Sequence, residues 1–306
     1  MLHMQIRKRV RNNGVMYEMI SIYRYLRYDL KFMKMHGNFK LKILDAMETS
    51  EVLSSSEIGF VRFGDSELKM LYRHYDIGFQ KYDVMLASRL YEIINYTGDD
   101  IYIGLPLPLD RLDKFKFKVA MSWASYFVRE YADLQTLHFP KNLYLDTQVT
   151  RSNEYADKSV ATVVYKNLKK IWQNKRVLIV EGDQSRLGVG NDLFNNAQHV
   201  SRILVPSENA FDYYDEILAT TIDYAESYDL VIAAIGPTAT VLGFDLRGVI
   251  KTFDLGHVDI QYEFILRNVS DVKSIPGKYT NESINKANYR IYDEKYESEV
   301  LKRIGV

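Results

Sequence analysis

The chain has 306 residues, 47% of them hydrophobic and 26% charged, and its 40 basic and 40 acidic side chains give a formal net charge of zero. This is the composition of an ordinary soluble globular protein that can bury a sizeable core, and the balanced charge points to no nucleic acid partner. The absence of cysteine excludes disulfides, thiol nucleophiles and cysteine zinc sites, fits a reducing cytoplasm, and leaves oxygen or histidine ligands for any metal.

No stretch approaches the roughly 18 apolar residues of a membrane span, and no apolar signal core opens the chain, so a cytoplasmic location is expected. Charge is nevertheless uneven. Residues 1–42 carry ten Lys and Arg against Glu18 and Asp29, a local charge of +8. Within them Met16, Met19, Ile20, Tyr23, Leu26, Leu30 and Met33 recur at three- and four-residue spacings, which predicts an amphipathic helix. An apolar stripe among basic side chains suits peripheral attachment to an anionic membrane or a partner protein. A helix packed on the main domain with a solvated basic back accounts for it equally well.

From about residue 57 short apolar runs end in turn residues: "IGFVRFGD", "DDIYIGLPLP", "NLYLDTQVT", "KRVLIVEGD", "VSRILVPS", "YDLVIAAIGP" and "GVIKTFDLGH". Helical periodicity falls between them, at 81–96, 112–131, 153–172, 209–227 and 238–246. This alternation predicts an α/β fold, Rossmann-like, with a largely parallel sheet flanked by helices. The expected organisation is a basic helical extension over 1–42, one α/β domain over 43–275 and a peripheral segment over 276–306, helical from about Asp293.

In an open parallel sheet ligands collect at the carboxyl ends of the strands, which orders the candidate residues. "EGDQSRLGVGNDLF" (181–194) has Gly188 and Gly190 but Leu193 where a dinucleotide fingerprint needs its third glycine, and it lacks the Gly-Lys-Ser/Thr of a P-loop. Its glycines let backbone amides approach an anion, Arg186 adds charge, and Asn191 or Asp192 can cap a helix starting near Leu193. A plain glycine turn explains the same residues. "GPTAT" (236–240) places Gly236, Pro237 and Thr238 where a helix start would face an anion, or where proline and threonine simply begin a helix. Asp65 and Glu67 in "RFGDSEL" offer two hard carboxylates to Mg²⁺ or Mn²⁺, against a competing role in capping. "DLGHVDIQYEF" gathers Asp254, His257, Asp259 and Glu263, and its histidine is the best-placed proton carrier of the six.

Taken together, "RFGDSEL", "TRS", "VEGDQSRLGVGNDLF", "RILVPSENAF", "AAIGPTATVLGFDL" and "DLGHVDIQYEF" resemble, in wording and order, the GT-D-fold glycosyltransferases of bacteria that glycosylate surface adhesins. The resemblance runs from Phe60 to Phe264 and leaves the amino-terminal helix outside it. It implies a metal-assisted hexosyltransferase that takes a UDP-linked sugar to a glycan or glycoprotein acceptor, with Mn²⁺ or Mg²⁺ as cofactor. The family's acidic motif falls on Asp65 and Glu67 as metal ligands. Its donor-binding blocks fall on Glu181, Gly182, Ser185, Arg186, Gly188, Gly190, Asn191 and Asp192, and on Gly236, Pro237 and Thr238. Its last block falls on Asp254, His257, Asp259 and Glu263.

Sugar transfer needs a neutralised leaving diphosphate and a base for the acceptor hydroxyl. The expected assignment puts Arg62 and Arg186 by the diphosphate, His257 or Glu263 as base, and Asp254 and Asp259 on the histidine or the sugar. Arg151 is placed either on phosphate or acceptor or in an ordinary ion pair. The basic extension then suits a partner glycosyltransferase as well as a membrane. The rival readings are a Rossmann-type methyltransferase, with the glycine loop around S-adenosylmethionine, and a non-catalytic carbohydrate-binding scaffold.

Overall fold

A computed structural model describes residues 14–73, 75–269, 275–278 and 292–306. Among these, eight parallel strands form one sheet: β1 (Gly59–Arg62), β2 (Ile101–Leu105), β3 (Leu145–Asp146), β4 (Arg176–Gly182), β5 (His199–Val205), β6 (Leu230–Ala234), β7 (Thr252–Asp254) and β8 (Val300–Arg303). Their spatial order is β3-β2-β1-β7-β6-β4-β5-β8. The helices are α1 (Gly14–His36), α2 (Ala46–Ser55), α3 (Asp65–Tyr72), α4 (Val84–Ile94), α5 (Phe117–Leu134), α6 (Ser159–Ile171), α7 (Tyr214–Ala225), α8 (Pro237–Asp245), α9 (Val258–Leu266) and α10 (Glu294–Glu299).

The near-continuous apolar runs are explained by burial on both faces. Successive side chains of a strand point to opposite sides, so Val177 and Ile179 of β4 enter one core while Leu178 and Val180 enter the other. The chain steps outward from β1 to β3, restarts at β4, and returns through β6 to β7, which pairs with β1 at Phe60 and Phe253. That return sets the carboxyl ends of β1 and β7 side by side, beneath loops from both halves of the chain.

Three local outcomes differ from the sequence reading. "NLYLDTQVT" yields only a two-residue β3, after which Thr147–Glu154 winds into 3-10 turns because the Asp146 carboxylate accepts the Gln148 N–H at 2.8 Å. The polar tail contributes a strand as well as the expected helix: Asp293 caps α10, β8 pairs with β5, and the Ile304 N–H donates to Leu204 O at 2.8 Å. No helix follows the glycine loop; Asn191 Oδ1 accepts the Leu193 N–H at 3.0 Å in a turn, and Leu193 and Phe194 drop into the core.

The amino-terminal helix forms, but the other way round. Ser21 and Phe32 are buried and Tyr17, Arg24, Tyr28 and Met35 partly so, while Met16, Met19, Tyr23, Leu26, Leu30 and Met33 face solvent. The face against α5 is aromatic: Phe32 meets Phe127 edge to face at 5.1 Å, and Tyr25 lies 5.9 Å from Phe117. Among the described residues no helix is long and apolar enough to cross a membrane.

Candidate active site

The corner after β1 is built by a helix start. Gly64 occupies the cap position of α3 without a side chain of its own, and its N–H donates back to Glu67 Oε2 at 2.9 Å. Asp65 is therefore the first helical residue rather than the cap, largely exposed, with Lys69 Nζ at 3.2 Å. Burial pushes the Glu67 carboxyl up to about 7; backbone N–H groups oppose that rise, and the charges of Asp254 and Asp65 add to it.

Arg62 crosses from β1 to β7. Its guanidinium donates to Asp254 Oδ1 at 2.8 Å and to Thr150 Oγ1 at 3.0 Å, and the Thr240 hydroxyl donates to the Arg62 carbonyl at 2.8 Å. Gly256 passes so close that a Cβ there would sit 2.3 Å from the Arg62 guanidinium, so a larger residue would have to displace that group from Asp254. The Gly256 N–H donates to Asp254 Oδ1 at 3.2 Å, and the next residue, half-buried His257, stands at the start of α9. Arg62, Asp65, Glu67, Asp254 and His257 thus share one corner.

The glycine loop after β4 forms a second cluster. Its turns use left-handed backbone at Arg186, Gly188 and Gly190, and Gly188 lies against the Phe194 ring. Most of its amides already have partners inside the protein. Leu187 donates to Glu181 Oε2 at 2.7 Å, Gly188 to Asp259 Oδ1 at 2.9 Å, Asn191 to Gly188 O at 3.3 Å and Ser185 to Gly182 O at 2.8 Å. The Asn191 amide group donates to both Asp259 Oδ1 and Glu263 Oε1, each at 2.8 Å, and buried Lys278 reaches the same two acids at 2.6 and 3.3 Å. Asp192 instead receives Lys169 at 2.7 Å and the Tyr262 hydroxyl at 2.8 Å. Burial alone would raise the Glu263 pKa, but Asn191, Arg267 and Lys278 outweigh it and hold the group below the ordinary range.

Beneath the loop Glu181 is fully buried against Arg202 at 2.5 Å, and Arg202 also holds Glu299 at 2.7 Å. Tyr296 from the tail fits between the Arg186 and Arg202 guanidinium groups, 5.1 and 4.7 Å from its ring, and donates to Glu181 Oε1 at 3.3 Å. At the third strand end Gly236 takes φ +63° under the Phe79 ring and Pro237 opens α8. Thr238 is completely buried, and its Oγ1 has no hydrogen-bond partner among the described residues. Arg151 pairs with Glu154 at 3.3 Å.

Several contacts join residues far apart in the chain, so no local motif shows them. Thr150 and Thr240 fix Arg62, and Tyr165 ties the Thr150 and Val258 carbonyls at 3.0 and 2.8 Å. A charge inside the apolar run "VSRILV" was a readable sign that Arg202 had a buried partner. Lys278 had no such sign.

Among the described residues no group of three or more histidines and acids is arranged to hold a metal ion. Asp65 and Glu67 supply two carboxylates at the helix start, a donor set that fits a divalent ion whose remaining positions are filled by diphosphate and water.

Comparison with known proteins agrees with this architecture. Residues 60–283 match the model of the glycosyltransferase GT-D fold. The chain is 35% identical over 266 residues to "Glycosyltransferase GlyD" of Streptococcus pneumoniae and 29% identical over 271 residues to "Probable glycosyl transferase Gly" of Streptococcus gordonii. These alignments cover 84% and 87% of this chain but only 32% and 39% of those relatives, so the chain spans a minor part of their length. A solved structure of domain of unknown function 1792, described as having a distinct glycosyltransferase fold, superposes with TM-score 0.84 at 32% identity, covering 90% of this chain and 99% of that one. A Streptococcus sanguinis protein described as a new glycosyltransferase gives 0.80 at 29% identity, over 87% of this chain and 100% of that one. With its family match spanning most of the sheet and both clusters, this chain belongs to the glycosyltransferase GT-D fold family.

Proposed function

We propose that this chain transfers a sugar from a UDP-linked donor to a hydroxyl of a glycan or glycoprotein acceptor, at the corner formed by Arg62, Asp65, Glu67, Asp254 and His257. The observation that carries this reading is the convergence of two acids, a fixed arginine and a histidine at adjoining strand ends in a glycosyltransferase fold. A Mn²⁺ or Mg²⁺ ion held by Asp65 and Glu67 would neutralise charge on the leaving diphosphate.

The chain's own groups supply the rest. Arg62 is pinned by Asp254 and Thr150, so it is already oriented when donor arrives, although the neighbouring carboxylate weakens its attraction for phosphate. Thr238 brings a buried hydroxyl with unused hydrogen-bonding capacity to the start of α8. His257 is the better base of the two candidates. Glu263 is ionised but engaged by Asn191, Arg267 and Lys278, which lowers its basicity and leaves it little freedom to accept a proton. In this reading the acceptor oxygen bonds to the anomeric carbon, the bond from that carbon to the phosphate oxygen breaks, and the acceptor proton passes to His257. Asp259 and Glu263 hold the glycine loop, and the loop walls the donor site by shape more than by its amides.

The test is UDP-sugar turnover in His257→Gln and Glu263→Gln. A loss of about 10²-fold or more in His257→Gln, with unchanged folding, is expected of a general base. Wild-type turnover in His257→Gln would place the base elsewhere.

A further inference from the structure

We infer that α1 is a membrane-docking helix that lies along the surface of an anionic lipid bilayer. The domain uses the opposite face of this helix. Phe32 and Ser21 are buried toward α5, whereas Met19, Tyr23, Leu26, Leu30 and Met33 form a continuous stripe on the far side, with Leu26 77% and Leu30 81% exposed. A helix of 23 residues is about 35 Å long at 1.5 Å per residue, so the stripe is far larger than the scattered apolar side chains of a normal surface.

Charge identifies the occupant. At 100° per residue, Lys34 and Arg27 border the stripe and Lys31 lies just beyond them, while Glu18 and Asp29 fall on the opposite border. The helix carries Arg24, Arg27, Lys31 and Lys34 against Glu18 and Asp29, within a segment, residues 1–42, whose net charge is +8, and long basic side chains beside an apolar stripe can lay their stems on it and reach lipid phosphates with their ends. The helix does not qualify as a membrane span, so burial of one face in the headgroup and acyl boundary is the geometry it fits. The family match begins at residue 60, so this surface lies outside the glycosyltransferase match.

The test is flotation of the full chain with vesicles of phosphatidylcholine alone or mixed with phosphatidylglycerol, at low and high salt. Binding to the mixed vesicles that weakens with salt is expected, falling at least about tenfold in Leu26→Glu/Leu30→Glu and in Arg27→Glu/Lys34→Glu. The substituted side chains lie on the solvent side, and circular dichroism with UDP-sugar turnover checks that the domain is intact. Failure of the wild type to float, or equal flotation of both variants, overturns the inference. So does a wild-type dimer in light scattering that Leu26→Glu/Leu30→Glu converts to monomer without lipid, since that makes a second copy the occupant.

Discussion

The two acid clusters at the carboxyl edge use the same residue types in opposite ways. Around the glycine loop, Glu181, Asp259 and Glu263 are buried and matched by Arg202, Lys278, Asn191 and backbone donors, so each carboxylate holds something in place. At the β1 corner Asp65 is half exposed with one lysine beside it, and Glu67 makes a backbone bond while like charges and burial raise its pKa to about 7. An acid whose hydrogen-bonding capacity is filled by the fold builds the site. An acid with fewer partners in the fold keeps oxygens available to act in it.

The largest expected effect tests the scaffold side. Glu181→Ala removes one of the two carboxylates that hold the buried Arg202 guanidinium, leaving Glu299, and should destabilise the protein by about 3 kcal/mol in denaturant melts, the lower end of what loss of one member of a buried pair costs. A loss below about 1 kcal/mol would mean that Glu181 is not a structural anchor. Next, Asp65→Asn should leave stability within about 0.5 kcal/mol, because Asp65 itself is exposed, yet lower turnover about 10²-fold or more if the residue holds the metal. Unchanged turnover would erase the contrast between the clusters.

A third test concerns Asp146, buried at the end of β3. Burial pushes its carboxyl up to about 7 even though Tyr155, Gln148 and Leu107 all donate to it. A raised carboxyl pKa means that the folded state keeps a proton the unfolded chain releases, so stability falls as pH rises between about 4 and 7 and then levels. Asp146→Asn should flatten that fall, by up to about 1.4 kcal/mol per pH unit, when thermal melts at pH 5 and 7 are compared. Parallel curves for variant and wild type would contradict it. The smallest effect is Tyr296→Phe, which removes only the 3.3 Å bond to Glu181 and should cost about 1 kcal/mol or less by chemical denaturation.

What could be read in the sequence follows physical range. The alternating strand and helix pattern is local and strong, so the parallel sheet and its central helices were legible. Faces and partners are not local. The α1 spacing marked an apolar stripe but could not say that the domain would grip the aromatic face instead, with Phe32 and Tyr25 against α5. β8 was hidden because an edge strand such as "VLKR" needs one apolar face at most. The glycine loop suggested free amides, yet Glu181 and the loop's own carbonyls take several of them, and Asp259, which accepts from Gly188, lies 71 residues further along. The β1 corner was legible through Asp65 and Glu67, while the bonds by which Thr150 and Thr240 fix Arg62 were not, because a threonine at a strand end looks the same with or without a task.

UDP binding with and without Mn²⁺, followed by thermal melts of the wild type and of Asp65→Asn/Glu67→Gln, tests the central claim most directly. UDP at about 100 times its Kd should stabilise the wild type by about 2.7 kcal/mol when the ion is present and much less without it, and the double variant should lose the ion-dependent part. Equal stabilisation by UDP with and without the ion, or an ion-dependent gain that survives in the double variant, would contradict the assignment of this corner as the metal and diphosphate site.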